Sequence, residues 1–432
     1  MNKLNIVIVT YDWPPRNAIS VHRPYSWAKY WSDLGHEITV LTSAKQAFDS
    51  PMDLKLPILR VRVVEVGFSG RNLFITEVLR IAKFRNVIKK WKLIVEQLFK
   101  VEIDPRASWR ERAKNQALEL AKHANIVVST FGPSAAHLIA MDMKVANPSI
   151  NWISDYRDLW SQSHVKTIPD RARNYMREQE LTTVGKYADL ITTVSRDMVS
   201  QLSDLFKRNV HYVPNGFDIA ESEAKRRLLM PARLHPGPFR IVYTGMIYRG
   251  HRNPRPLLEA LSRLHDEAKI SPESISVDFY GNRVEEVEEL AKNKKFAPFI
   301  RIMGHVPREK SIEAQRNAGF LLLLESSVPE ARGVLTGKVF EYLVSGRPIL
   351  CVGSRPDFEI GRLLQETKTG LVFEWDNNSD LPQLLLETMS GRGLLSHYNP
   401  NINKILEYSR ERIAKNFIQL IEQSYSKISN SH

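Results

Sequence analysis

One cysteine in 432 residues, Cys351, excludes an internal disulfide and suits a reducing compartment. Long apolar runs are missing as well. Residues 320–324 are among the longest, far short of the roughly 20 residues that span a bilayer. The opening residues lack the layout of a secretion signal and read instead as a strand, Leu4-Asn5-Ile6-Val7-Ile8-Val9, running into Tyr11-Asp12-Trp13-Pro14-Pro15. A cytoplasmic protein is therefore expected. No His/Asp/Cys cluster has the spacing of a metal site, so neither a metal nor a resident cofactor is expected. Low-complexity tracts and nucleic-acid-binding motifs are absent too, and no nucleic-acid partner is expected.

The chain is long enough for two domains of about 200 residues each. Its 61 Lys and Arg against 48 Asp and Glu leave a net charge of +13, which favours an anionic partner. That excess is densest in residues 71–100. There Phe74, Val78, Ile81, Phe84, Ile88, Trp91, Val95 and Leu98 recur at helical spacing, and the remaining positions are strongly basic. Such a helix suits an anionic membrane surface, or equally a core helix with a solvated basic face.

Residues 1–42 read as strand, helix and strand, the opening of a parallel sheet. In open sheets ligands bind beyond the carboxyl ends of strands, which puts Arg16, Asn17 and Ser20 at the mouth of a cleft, with Arg23 in the helix behind them. Both arginines also suit plain surface charges. A strand at 150–153 is followed at once by Asp155, Arg157 and Asp158, again beyond a strand end, where Asp155 also suits a turn and Asp158 a pair with Arg157. Ser134 and His137 open a helix after the strand at 126–129, and neither is specific. Asn215-Gly216 signals a turn at the end of the first half. A second half then opens on a strand at 239–244, followed by Gly245 and the donor-rich loop at 246–252.

Residues 333–350 read as a loop, a short helix and a strand. Thr336 and Gly337 are helix-start residues, and Val339, Phe340 and Leu343 form the buried face. Lys338 lies in the first turn, where phosphate is favoured. Glu341, nearly a turn later, suits two hydroxyls of a ribose or sugar. The same spacing also suits an ordinary surface Lys–Glu pair.

This stretch resembles the donor-binding segment of retaining glycosyltransferases of family four. The segment Asp155-Tyr156-Arg157-Asp158-Leu159-Trp160 is similar to one in members acting on bacterial surface polysaccharides, and Pro214-Asn215-Gly216-Phe217-Asp218 resembles that family's interdomain crossing. The resemblance implies the GT-B fold: two Rossmann-like, doubly wound α/β domains facing across a cleft. They would be an acceptor domain at 1–217, rejoined by a helix at about 401–426, and a donor domain at 218–400. It also implies transfer of a sugar from a nucleoside diphosphate-sugar, with retention, to a saccharide or lipid-linked acceptor. Lys338 and Arg249, or Arg252, would meet the diphosphate near Gly245, and Glu341 would hold the ribose. Gly281, His305 and Val306 would flank the base. Asp155 and Asp158 would position acceptor or sugar. The family usually carries a Glu seven residues before the one at Glu341's place. Gly333 falls there instead, and Glu330 is the candidate replacement. Met246 stands where the family has an Arg. A nucleotide-sugar epimerase and a non-catalytic nucleotide-sugar-binding protein are the alternatives.

Overall fold

In the first strand successive side chains enter different layers. Ile6 and Ile8 join a core with Trp27, Trp31 and Phe417, while Val7 and Val9 join one with Trp109, Ala113 and Ile139. A strand buried on both faces belongs inside a parallel sheet covered by helices. The computed structural model describes residues 3–44, 52–67, 105–162, 169–230, 237–247, 252–282, 285–390 and 398–429. The basic stretch at 71–100 and Arg249 lie outside them. Among the described residues, no helix is long and apolar enough to cross a membrane.

The chain forms two units, Met1–Pro214 with Ile413–His432, and Asn215–Arg412. In the first, strands β1 (Asn5–Val9), β2 (Glu37–Ser43), β3 (Arg62–Val66), β4 (Ile126–Thr130), β5 (Asn151–Tyr156), β6 (Leu190–Thr193) and β7 (His211–Tyr212) pair in parallel in the order β3-β2-β1-β4-β5-β6-β7. The order reverses between β1 and β4, which makes their carboxyl ends the topological switch point. In the second unit, β8 (Phe239–Thr244), β9 (Ile275–Tyr280), β10 (Ile300–Gly304), β11 (Phe320–Leu324), β12 (Ile349–Val352) and β13 (Gly370–Phe373) pair in the order β10-β9-β8-β11-β12-β13, with the reversal between β8 and β11. The expected pair of doubly wound α/β units is what forms.

Most departures from the sequence reading lie at element ends. The strand expected at 150–153 runs on through Tyr156, so Asp155 lies inside β5 and is fully buried. The single helix expected over 401–426 is two, Ile402–Leu406 and Arg410–Ser429, because Ser409 bridges Phe217. Residues 221–229, between the Asn215-Gly216 turn and the second unit's first strand, form a helix with Ala224 and Leu228 buried. The chain rejoins the first unit at Ile413. There Phe417 packs edge-on against Trp27, and Trp31 Nε1 donates to the Ala414 carbonyl at 2.8 Å.

His137 sits at the centre of the first unit's core. Ser129 Oγ lies 2.8 Å from its Nδ1 and Ser154 Oγ 3.2 Å from its Nε2, while Trp152 Nε1 donates to Ser129 Oγ. Burial lowers its pKa to about 3, so the ring stays neutral and its role is structural. In the unfolded chain it titrates near 6.5, so below that pH the unfolded state binds the extra proton. Urea unfolding is expected to show stability falling by up to about 1.4 kcal/mol per pH unit as pH drops from 6.5 towards 3. His137→Phe is expected to remove that part of the slope.

Candidate functional site

At the second unit's switch point three strands end in glycines. Gly245 N–H donates to the Tyr280 carbonyl at 2.7 Å, and Gly281 N–H to that of Gly304 at 2.8 Å. Gly281 has φ +145°, and a Cβ there would lie 2.4 Å from the Gly245 carbonyl oxygen. Gly245 has φ +118°, and its missing Cβ leaves room for Lys338, whose Nζ would lie 3.1 Å away. Neither position accommodates a side chain without strain.

Lys338 stands in the short helix Gly337–Leu343, which packs against β11 through Val339, Phe340 and Leu343. The remaining anchor is Tyr342, whose hydroxyl accepts from Thr244 N–H at 3.0 Å at the end of β8. Lys338 Nζ lies 3.7 Å from the centre of the Tyr243 ring, buried and without a hydrogen-bond partner among the described residues. Burial, with Arg252 nearby, pushes its pKa well below the usual lysine range, while Glu325 and Glu341 oppose that shift. An ammonium held this way on an aromatic face is incomplete without an anion.

Glu325 follows β11 directly and is 8% exposed. Its Oε1 accepts from Thr336 Oγ1 at 3.0 Å, and burial raises its pKa against the pull of Arg252 and Lys338. Thr336 precedes the helix as expected, but it spends its hydroxyl on Glu325 rather than on capping. Of the two carboxylates that act on Lys338, Glu325 and Glu341, Glu325 is the buried one. Glu330, the candidate for the family's first carboxylate, sits exposed on the turn Pro329–Ala331. Sequence reading missed Glu325, although a carboxylate at the end of a five-residue apolar run was the signal applied to Asp155.

Glu341 is one-third exposed. Gln315 Nε2 donates to its Oε1, and Arg308 NH2 lies 3.2 Å from its Oε2. Arg308 is itself 63% exposed, so a ligand hydroxyl has only a solvated partner to displace. Arg252 donates to the Met246 carbonyl at 3.1 Å. His305 is exposed and Val306 half-buried in the loop after β10.

In the first unit the expected acceptor residues divide into two groups. Asp155 accepts from Arg23 Nε at 3.0 Å and NH2 at 2.7 Å, and from Thr130 and Thr192 hydroxyls at 2.9 Å each. Arg23 also donates to the Val213 and Pro214 carbonyls at 2.8 Å. Those bonds occupy Asp155, so it acts as a buried counter-ion and not as a group free to meet a sugar. Asp158 has a 73% exposed side chain 3.8 Å from Arg157. Arg16 is buried, donating to Asp12 Oδ1 at 2.8 Å, and Ser20 donates to Asp12 Oδ2. Asn17 pairs with Asp53 on the surface.

No protein-family model and no curated protein sequence matches the chain. Solved structures do. Sucrose-phosphate synthase from Thermosynechococcus elongatus superposes with TM-score 0.62 over 98% of this chain and 100% of that one, at 13% identity. A glycosyltransferase from Rickettsia africae gives 0.59 over 98% and 99%, at 14% identity. A trehalose-6-phosphate protein from E. coli, bound with UDP-2-fluoro glucose, gives 0.60 over 97% and 99%, at 13% identity. The fold is theirs: GT-B. At such identities the likeness carries the fold and nothing further.

Two contrasts test this geometry. Gly281→Ala meets backbone and is expected to lower the melting temperature more than Gly245→Ala, which meets only the flexible end of Lys338. Asp155→Ala leaves Arg23 buried and uncompensated and is expected to cost about 3–5 kcal/mol in urea unfolding, whereas Asp158→Ala stays within about 0.5 kcal/mol.

Proposed function

We propose that this chain is a glycosyltransferase that moves a sugar from a nucleoside diphosphate-sugar to a saccharide or lipid-linked acceptor. The observation that carries the reading is Lys338: a buried ammonium with no hydrogen-bond acceptor, at the switch point of a doubly wound unit. A diphosphate supplies the missing charge. The three similar structures support the same reading, since one is titled a glycosyltransferase, one a sugar-phosphate synthase, and one is bound with UDP-2-fluoro glucose.

In this reading the donor binds the second unit. Lys338 and Arg252, with Arg249, stabilise charge on the departing diphosphate, where fixed cations in a dry site are most effective. Glu341 accepts the ribose hydroxyls in place of Arg308, and Glu325 partly offsets the lowering of the Lys338 pKa before the diphosphate arrives. The base lies along Gly281, His305 and Val306. The bond from the sugar's anomeric carbon to the diphosphate oxygen breaks, and a bond to the acceptor oxygen forms on the same face. The acceptor's proton goes to the departing phosphate oxygen. Retention rests on the resemblance of residues 333–350 to family-four enzymes. Residues 71–100 would bring the protein to an anionic membrane surface, where a lipid-linked acceptor is found.

Titration calorimetry with UDP and GDP tests the site. Lys338→Ala is expected to weaken the nucleotide that binds by at least tenfold, the loss of one charge-assisted contact. A diphosphate restores the lysine's proton, so binding takes up a proton and weakens as pH rises above the lowered pKa. Glu325→Gln, which removes the opposing charge, is expected to move that weakening to lower pH. A wild-type protein that binds neither nucleotide, or binds as well without Lys338, ends the proposal. Nucleoside diphosphate released without any acceptor-dependent sugar transfer favours the epimerase or the binding protein instead.

A further inference from the structure

The helix Arg308–Arg316, which follows β10, buries a polar side chain more deeply than its apolar ones. Ile312 and Ala314 are half-buried, while Gln315 is 1% exposed. A buried amide is held by hydrogen bonds or it destabilises the fold. The bonds of Gln315 run to the nucleotide site. Its Nε2 donates to Thr244 Oγ1 at 3.1 Å and to Glu341 Oε1. Thr244 ends β8, and its Oγ1 lies 3.1 Å from the Tyr342 hydroxyl, which also accepts from Thr244 N–H. The amide nitrogen faces this way because the amide oxygen would repel the carboxylate.

Glu341 is thus held unequally at its two oxygens. Oε1 is tied to a buried donor, and Oε2 faces the 63% exposed Arg308 at 3.2 Å. Arg308 and Gln315 stand two turns apart on one helix, so a single helix face addresses both oxygens. An incoming hydroxyl displaces the solvated guanidinium far more readily than the buried amide. What is left is a carboxylate fixed in direction at one oxygen and open at the other. An acceptor oriented before the ligand arrives discriminates strongly against an analogue that lacks the matching hydroxyl.

We propose that Gln315 is a positioning residue: it fixes Glu341 towards the ribose, so that the site selects a ribonucleoside diphosphate over its 2′-deoxy form. This rests on the glycosyltransferase reading, in which Glu341 faces the ribose. Without the amide, Glu341 is free to turn towards Arg308 and solvent. The ribose must then order it on binding, and that entropic cost cancels much of the contact. The diphosphate end is untouched, so affinity for the deoxy form changes little.

The test is titration calorimetry on the full chain with UDP, GDP and their 2′-deoxy forms. Wild type is expected to prefer the ribonucleotide it binds over the deoxy form by about tenfold, the loss of one charge-assisted hydrogen bond. Gln315→Met keeps the side chain's length and removes the amide. It is expected to bring the preference below about threefold by weakening the ribonucleotide alone. In Gln315→Glu two carboxyls meet, and both cannot ionise freely at such a separation. At low pH one shared proton stands in for the amide N–H, so the preference is expected near its wild-type value at about pH 5 and lost by about pH 8. The ratio of ribo to deoxy affinity cancels the pH effect at Lys338. Equal weakening of both forms in Gln315→Met makes the amide a packing residue and overturns the proposal. A preference in Gln315→Glu that does not vary with pH overturns it too, as does a wild type with no preference. A wild type that binds none of the four nucleotides ends the glycosyltransferase reading itself, and this inference with it.

Discussion

The amino group of Lys338 is held against the Tyr243 ring with no hydrogen-bond acceptor among the described residues, and the end of β8 and the helix Gly337–Leu343 are arranged around it. Burying such a charge is costly, and the aromatic face returns only about 0.5–2 kcal/mol. The surroundings explain why the side chain nevertheless stays in place. Gly245 and Gly281 carry no side chains into the space, Tyr342 ties the helix to the end of β8, and Glu325 sets a negative charge beside it. Each of these residues serves the packing, and together they leave one thing undone. A ligand bringing negative charge converts an unfavourable group into a satisfied one, so the binding energy is stored in the folded protein before the ligand arrives.

The first unit uses the same place in its sheet differently. Its switch point is also marked by a left-handed glycine, Gly132, and by charge at strand ends. There the charges are mostly held by protein. Asp155 takes four hydrogen bonds, Arg23 holds the Val213 and Pro214 carbonyls, and Arg157 ties the loops after β1 and β4 together. Asp155 and Arg23 are therefore scaffold. A single doubly wound plan supplies two switch points, and among the described residues the first ties its buried carboxylate to protein donors while the second holds Lys338 Nζ buried without a hydrogen-bond partner.

Much of this was legible in the sequence, for physical reasons. The strand read at 239–244 is β8 to the residue, the apolar run at 320–324 is β11, and the helix start at Thr336-Gly337 followed from its loop and buried face. Chain ends of strands were less legible. Asp155 looks like a strand terminator because it is charged, and only the tertiary arrangement of Arg23, Thr130 and Thr192 lets a carboxylate continue β5 into the core. Glu330 was chosen from the family spacing measured along the chain, and Glu325, directly after β11, drew no notice because that spacing does not reach it. Contacts over long sequence distance, such as Tyr243 with Lys338 or Arg106 with Tyr11, leave no local trace in the chain.

The altered family positions follow from the same comparison. Measured against the family-four pattern that residues 333–350 resemble, Gly333 stands in place of a carboxylate and Met246 in place of an arginine, one charge of each sign, so the local field need not differ much. Glu325 is negative and Arg252 positive, and both act on Lys338. Their placement preserves a cation flanked by opposing charges, although neither occupies the expected position in the sequence. The field at Lys338 is thus set by residues from different loops, which the folded chain brings together and the linear spacing does not show.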